Sequence, residues 1–355
     1  MNRRPTTKAG IIAVIGGLLV TVATTAQAGW LFVLAAGVLG LAASGLIVSH
    51  RLSAAVVSRS VPARARVGQS VTVALRVHNP SAKRLPVMRI EDRFPAFEEL
   101  SVASEAVPPG GATVIELERE AIARGVFEQG DATLVTGAPF GLVRTKRGGF
   151  VKSRAIVHPA WRELRAFPLP ETPAATADEA LAVTRSGHGE VFAGVRDYRP
   201  GDQQRWVHWR TTARTGRLVV REHEEPARSP LVLVAAGLEA NHSAEHVASA
   251  AASVGLLALS AGRPVHCVGH GRFGEHVENA SRLGLLDWAA ALEPSASAPE
   301  DAVGAAFRRW GRRCAFVLFE AREGAANGAA LLARRKGAGV QIVLASCPDE
   351  EAHAG

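Results

Sequence analysis

A chain of 355 residues, with 41 Lys and Arg against 33 Asp and Glu, carries a formal charge of +8. It is long enough for two or three domains, and its 47% hydrophobic content is ordinary for a globular protein. The basic residues are scattered without a long basic run, so no nucleic acid is expected as a partner. Cys267, Cys314 and Cys347 lie far apart without C-x-x-C spacing, each in or beside an apolar run. Buried free thiols in a reducing compartment are the expectation.

From Ala9 to Ser49 no residue is charged. That length crosses a bilayer twice at about 20 residues per helix. The polar dip at Thr24-Thr25-Ala26-Gln27-Ala28-Gly29 divides it. The expectation is a transmembrane helical hairpin over residues 1–50, with helices near Ala9–Thr25 and Trp30–Ser49 and the lipid bilayer touching residues 9–49. Trp30 stands like an interfacial aromatic. Arg3, Arg4 and Lys8 precede the pair, and Arg51, Arg59, Arg64 and Arg66 come after it. Positive flanks at both ends place both termini in the cytoplasm. A cleaved signal peptide, with Ala26-Gln27-Ala28 as its site, is the competing reading. The second apolar segment would still anchor the remainder of the chain.

Residues 55–158 read as a β-sandwich. Val71–His78 alternates with period two and ends in Asn79-Pro80. Val87–Asp92 reads as a second strand, Pro108-Pro109-Gly110-Gly111 as a turn, and Thr113–Ala123 as another alternating strand. Phe127, Leu134-Val135 and Ala155–His158 supply further short strands. No nucleophile–base constellation appears here. Residues 159–186, rich in Pro and Ala, read as a linker, with Trp161 and Leu164 available to pack back on the sandwich.

The densest run of charged, aromatic and turn residues spans 187–226: GHGEVFAGVRDYRPGDQQRWVHWRTTARTGRLVVREHEEP. It holds the lone tyrosine, Tyr198, two of the six tryptophans, and seven arginines between Arg196 and Arg221. Pro200-Gly201 reads as a turn. Asp202 is placed to cap a helix over Gln203–Arg214. That helix would carry Trp206, Trp209 and Ala213 on one apolar stripe. Gly216 would end it, and Leu218-Val219-Val220 would come next as a strand.

Two readings of the charges stand. In one, Arg196, Arg199, Arg210, Arg214, Arg217 and Arg221 pair with Glu190, Asp197, Asp202, Glu222 and Glu224 to fix an irregular segment. In the other, the arginines form an anion-binding or partner-docking surface. Arg interleaved with Trp could also stack on bases.

The pattern G-E-x-F-x-G-x-R-D-Y-R-P-G-D, then W-x-x-W-R-x-x-A-R-T-G-R-L-x-V-R-E-x-E, resembles the signature of the bacterial domain of unknown function 58 family. Arg124-Gly125-Val126-Phe127 and Pro139-Phe140-Gly141-Leu142 resemble two further elements of that family. Ala138 stands where an acidic residue usually falls.

Residues 227–355 alternate strand and helix. The strands are Leu231–Ala236, Pro264–Gly269, Cys314–Phe319 and Val340–Ala345, and the helices are Ala244–Ala261, Leu283–Leu292, Asp301–Trp310 and Ala326–Lys336. This alternation implies a parallel sheet covered on both faces. The family resemblance implies a von Willebrand factor A-like domain, which often holds a divalent cation through D-x-S-x-S. Here Ala235-Ala236-Gly237-Leu238-Glu239 lacks the first carboxylate and both hydroxyls, and Glu320 is one lone carboxylate. His242 and His246, and His266, His270 and His276 around Cys267, complete no ligand set. No metal and no cofactor is expected.

The expectation is a multi-domain chain: two transmembrane helices, an Ig-like β-sandwich, and a C-terminal α/β von Willebrand factor A-like domain. The resemblance implies a protein-binding adaptor of the bacterial inner membrane, not an enzyme, with a MoxR-type AAA+ ATPase as partner in assembling or maturing envelope or other protein complexes. The rivals are an enzyme using Asp197, Asp202 or Glu222 with the arginines on an anionic substrate, and a nucleic-acid-binding membrane protein.

Overall fold

The structure, a computed structural model, describes residues 2–137, 141–171, 184–187, 191–200, 202–226, 229–238, 241–295, 297–310 and 314–345. Two compact units divide the chain, Met1–Ala160 and Trp161–Gly355.

In the first unit, β1 (Asn2–Pro5) leads into α1 (Thr7–Ala26) and α2 (Gly29–Val48). Thr6 caps α1, its side chain accepting from the Ala9 N–H at 3.4 Å. Gln27, in the left-handed region at φ 48°, ends it. The two helices pack so closely that a Cβ on Gly16 would stand 2.6 Å from Leu39 Cδ2. Among the described residues α1 is long and apolar enough to cross a membrane, whereas the described apolar stretch of α2 is the shorter Gly29–Leu41. The structure therefore supports one span by length and composition where the sequence pattern predicts two.

The strands that come next are β2 (Val56–Ser60), β3 (Arg64–Arg66), β4 (Ser70–His78), β5 (Met88–Arg93), β6 (Leu100–Ser104), β7 (Ala112–Glu120), β8 (Gly125–Thr136) and β9 (Val143–His158). One sheet runs β1-β9-β8-β5-β6, with β3 beside β9, and the other runs β2-β4-β7. The alternation in β4 buries Val71, Val73, Leu75 and Val77. Leu75 and Val77 meet Ile90 of β5 and Leu134 of β8, and Val71 and Val73 meet Phe94, Ala155 and Val157. These contacts between facing sheets make the sandwich.

Three charges sit inside it. The Asp92 side chain has no exposed surface and receives Arg59 Nε at 3.0 Å and Arg119 Nη1 at 2.6 Å. The guanidiniums also donate to the Asp131 and Glu98 carbonyls and lie over the Phe94 and Phe97 rings. Buried charge at this depth is tolerated because each guanidinium finds both a carboxylate and a carbonyl to accept from it.

The second unit starts with β10 (Thr184–Gly187), β11 (Val191–Asp197), α3 (Trp209–Thr215) and β12 (Val219–Pro226). The three strands form an antiparallel sheet with β12 in the centre. Next come β13 (Leu231–Ala235), α4 (Asn241–Ser260), β14 (Val265–Gly269), β15 (His276–Val277), α5 (Arg282–Ala291), α6 (Pro299–Trp310), β16 (Ala315–Glu320), α7 (Asn327–Arg335) and β17 (Val340–Leu344).

Their sheet runs β15-β14-β13-β16-β17, parallel except at β15. Leu231 and Leu233 face α4 and α5, while Val232 and Val234 face α6 and α7. A strand buried on both faces needs an unbroken apolar run, and β13 has one. Trp161, Leu164, Phe167 and Leu169 pack against the α4–α5 side of this core. The Arg162 N–H donates to Ser253 Oγ at 3.0 Å, and Arg263 Nη2 donates to the Pro170 carbonyl at 2.7 Å. Of the residues expected to serve as a linker, Trp161, Leu164, Phe167 and Leu169 thus pack on the α/β core, while residues 172–183 lie outside the described residues.

Candidate functional site

The signature folds around β12. Arg221, Val220 and Val219 pair with Val195, Arg196 and Asp197 of β11. Beyond β11 the chain turns through Pro200; Gly201 lies outside the described residues, as does Glu190. Asp202 closes this turn. Its carboxylate receives both Nη atoms of Arg196, at 2.8 and 2.9 Å, and the Arg199 N–H at 2.8 Å. The Arg196 guanidinium, with the Arg199 N–H, holds its carboxyl down to about 2.

Asp202 does not cap a helix over Gln203–Arg214. A single 3-10 turn covers Gln204–Trp206, then Val207 is drawn into a bridge with Val220 and the His208 N–H donates to the Val219 carbonyl at 2.8 Å. Pairing with a buried strand wins over helix continuation here. α3 starts only after His208, whose Nδ1 accepts the Thr211 N–H at 3.2 Å. Gly216, at φ 68°, ends α3 and returns its N–H to the Thr212 carbonyl.

Breaking the helix also breaks the expected tryptophan stripe. Trp206 is partly buried beneath the Arg205 guanidinium, 5.3 Å from its ring centroid. Trp209 is 65% exposed. Arg199, Arg205, Arg210, Arg214, Arg217 and Arg221 are all exposed. Among the described residues none of these six forms an ion pair, and Arg196–Asp202 is the signature's paired couple. Asp197 is exposed and Tyr198 partly buried, its N–H donating to the Leu218 carbonyl at 2.9 Å. Glu222 belongs to β12, and its side chain lies outside the described residues. The segment is therefore a small sheet and one short helix, locked underneath by the Arg196–Asp202 ion pair, with guanidiniums and an indole turned to solvent. Such a surface offers bidentate donors to carboxylates or phosphates.

The α/β core offers little chemistry. Glu320, at the end of β16, is buried and accepts the Ala326 N–H at 2.8 Å and the Gly324 N–H at 3.4 Å. Its carboxylate organises the turn into α7. Among the described residues no group of three His, Cys, Asp or Glu could hold a metal ion. Burial pushes the Cys314 thiol up to about 11 and raises Cys267 further, so both remain neutral thiols. Cys347 and Glu239 lie outside the described residues. His266 stacks on Trp310, with centroids 4.6 Å apart, and its Nδ1 accepts the Asn279 N–H; burial lowers its pKa against the opposing pull of Glu278.

With this geometry in view, comparison with known proteins locates the segment. Residues 194–280 match the family model described as "Protein of unknown function DUF58". The DUF58 match takes in most of β11, all of α3 and β12, and the α/β unit as far as β15. The chain is also similar to the uncharacterized protein YeaD of Bacillus subtilis (strain 168), 26% identical over 230 residues, covering 63% of this chain and 56% of that one. The chain thus spans about half the length of that curated relative.

Among solved structures it is similar to the CARDB domain of PF1109 from Pyrococcus furiosus. The solution structure is 11% identical, covers 29% of this chain and 94% of that one, and has a TM-score of 0.22. The crystal structure of the same domain with di-metal ions is 12% identical over the same shares, with a TM-score of 0.19. Salmonella alpha-2-macroglobulin reacted with methylamine is 14% identical, covering 41% of this chain and 8% of that one, with a TM-score of 0.22.

Proposed function

We propose that this chain is a membrane-anchored adaptor that grips a protein partner through the exposed arginines of its signature segment. The carrying observation is that Arg199, Arg205, Arg210, Arg214, Arg217 and Arg221 stand in solvent without ion pairs among the described residues, beside an exposed Trp209. Arginine and tryptophan are the residues that most often anchor protein interfaces. An acidic patch on the partner is the complement that such a surface selects.

In this reading the partner is a MoxR-type AAA+ ATPase, and the pair assembles or matures envelope or other protein complexes. The α/β unit acts as a von Willebrand factor A-like platform whose cation position has been given up, with Glu320 spent on the turn into α7. α1 and α2 anchor the chain in the bacterial inner membrane with both flanks in the cytoplasm.

The test is co-purification from crosslinked membranes. Wild-type chain should recover an AAA+ ATPase or an envelope protein, and the R210Q/R214Q/R217Q variant should recover about tenfold less, as expected for loss of interfacial charge pairs. Equal recovery by both, or no such protein with either, overturns the reading.

A further inference from the structure

We propose that the outer face of the larger sandwich sheet, beside the start of α1, holds the phosphate headgroup of an anionic phospholipid. The proposal rests on reading α1 as a membrane span. β1 lies antiparallel to β9 with Arg4 directly opposite Arg144, and both side chains are exposed. Like charges facing each other across a ladder repel. The next outward positions bring more cations: Lys146, two residues on in β9, and Arg89 of β5, which shares Val135 of β8 as a neighbour with Lys146.

Glu91 answers part of this charge, 3.2 Å from Lys146 Nζ and 4.0 Å from Arg144 Nη2. Among the described residues Arg4 and Arg89 have no acidic partner. Lys8, exposed on the first turn of α1, adds another cation at the same end.

A cavity of 420 Å³ opens among these groups, lined by Arg89, Arg144, Thr6, Val87, Met88 and Val135. Val87 is 60% exposed and gives the cavity an apolar flank. The Thr6 hydroxyl is already engaged with the Gly141 and Leu142 carbonyls, so the guanidiniums supply the polar recognition. Thr6 is also the cap residue of α1. When α1 spans a bilayer, its first turn and this cavity lie at headgroup depth. A cationic rim over apolar side chains at that depth fits a phosphate on one side and the glycerol and first methylenes on the other. Phosphate in solution shares the anionic chemistry but has no use for the apolar flank.

The experiment uses the full chain released from nanodiscs containing equal phosphatidylglycerol and phosphatidylcholine, with retained lipid read by native mass spectrometry. Wild type should keep phosphatidylglycerol in preference. R89Q/R144Q should keep about thirtyfold less, from the surface-charge contribution of two basic residues. R154Q, an exposed arginine elsewhere on β9, and R89K/R144K, which preserves the charge, should both retain the preference.

Equal retention of the two lipids, or an unchanged R89Q/R144Q, overturns the site. Displacement of the lipid by equimolar inorganic phosphate overturns the lipid assignment in favour of a soluble anion. Alkaline carbonate extraction separates the span from the site. Release of the chain from membranes defeats the span and the lipid site together, whereas retention of the chain without lipid preference defeats the site alone.

Discussion

The sandwich and the signature segment use the same side chain for opposite ends. In the sandwich, Arg59 and Arg119 are buried around Asp92, saturated by carboxylate and carbonyl oxygens and covered by Phe94 and Phe97. In the signature, six arginines stand in solvent and one, Arg196, is tied down by Asp202. A saturated, dry guanidinium can only hold a structure together. A wet one with free donors remains available to something else. The sequence shows an arginine in both places; burial and partners decide which use it has.

The contrast breaks most sharply at Asp92. Asp92→Ala leaves two guanidiniums in the sandwich core without a counter-ion, and should destabilise the chain by about 3–5 kcal/mol. Urea unfolding followed by far-UV circular dichroism reads this; a loss under about 1 kcal/mol, the size of an ordinary surface change, would mean that the triad is not what joins the two sheets. Three neutralised signature arginines, R210Q/R214Q/R217Q, should shift the same midpoint by no more than about 0.5 kcal/mol per site. A larger loss would place those side chains in the fold and not on a docking surface.

The smallest effect belongs to Asp202. Its carboxyl is held down to about 2, so its stabilising contribution is complete above the ordinary carboxylate value of 3.8 and is lost as pH falls toward 2. Proteolytic or hydrogen-exchange opening of residues 196–202 should rise across that window in the wild type. In D202N, which never forms the ion pair, the pH dependence should be absent. Because the pair is partly exposed, added salt should shrink the difference.

Much of the α/β unit is legible in the sequence because a strand buried on both faces must be an unbroken apolar run, as Leu231–Val234 and Phe316–Phe319 are. The alternation of β4 is equally plain. The long β8–β9 hairpin is not, because Gly148 and Gly149, poor strand formers, interrupt the apolar pattern of β9 and yet sit paired with Thr133 and Ala132. The Arg59–Asp92–Arg119 triad escapes a reading by motif, although parity could have found it. Asp92 continues the inward series of Met88 and Ile90 in β5, and Arg119 follows Ile115 and Leu117 in β7. A charged residue in an inward position is a prompt to look for its partner in another strand.

In the signature, apolar spacing alone places Trp206 and Trp209 on one helix. It cannot register the competing pull of Val220 on Val207, a contact set by pairing between strands and not by local periodicity. Which arginines find acids is also illegible, since every candidate partner lies within a few residues and only the turn geometry selects Asp202.

The clasp of β1 onto β9 dictates an order of manufacture. Asn2–Pro5 leaves the ribosome well before the residues that receive it, Val143–Lys146, which emerge only after α1, α2 and nearly all the sandwich strands. β1 must therefore wait, unpaired, until β9 has been made. Its docking is the last stitch of that module, made when the sheet it completes already exists.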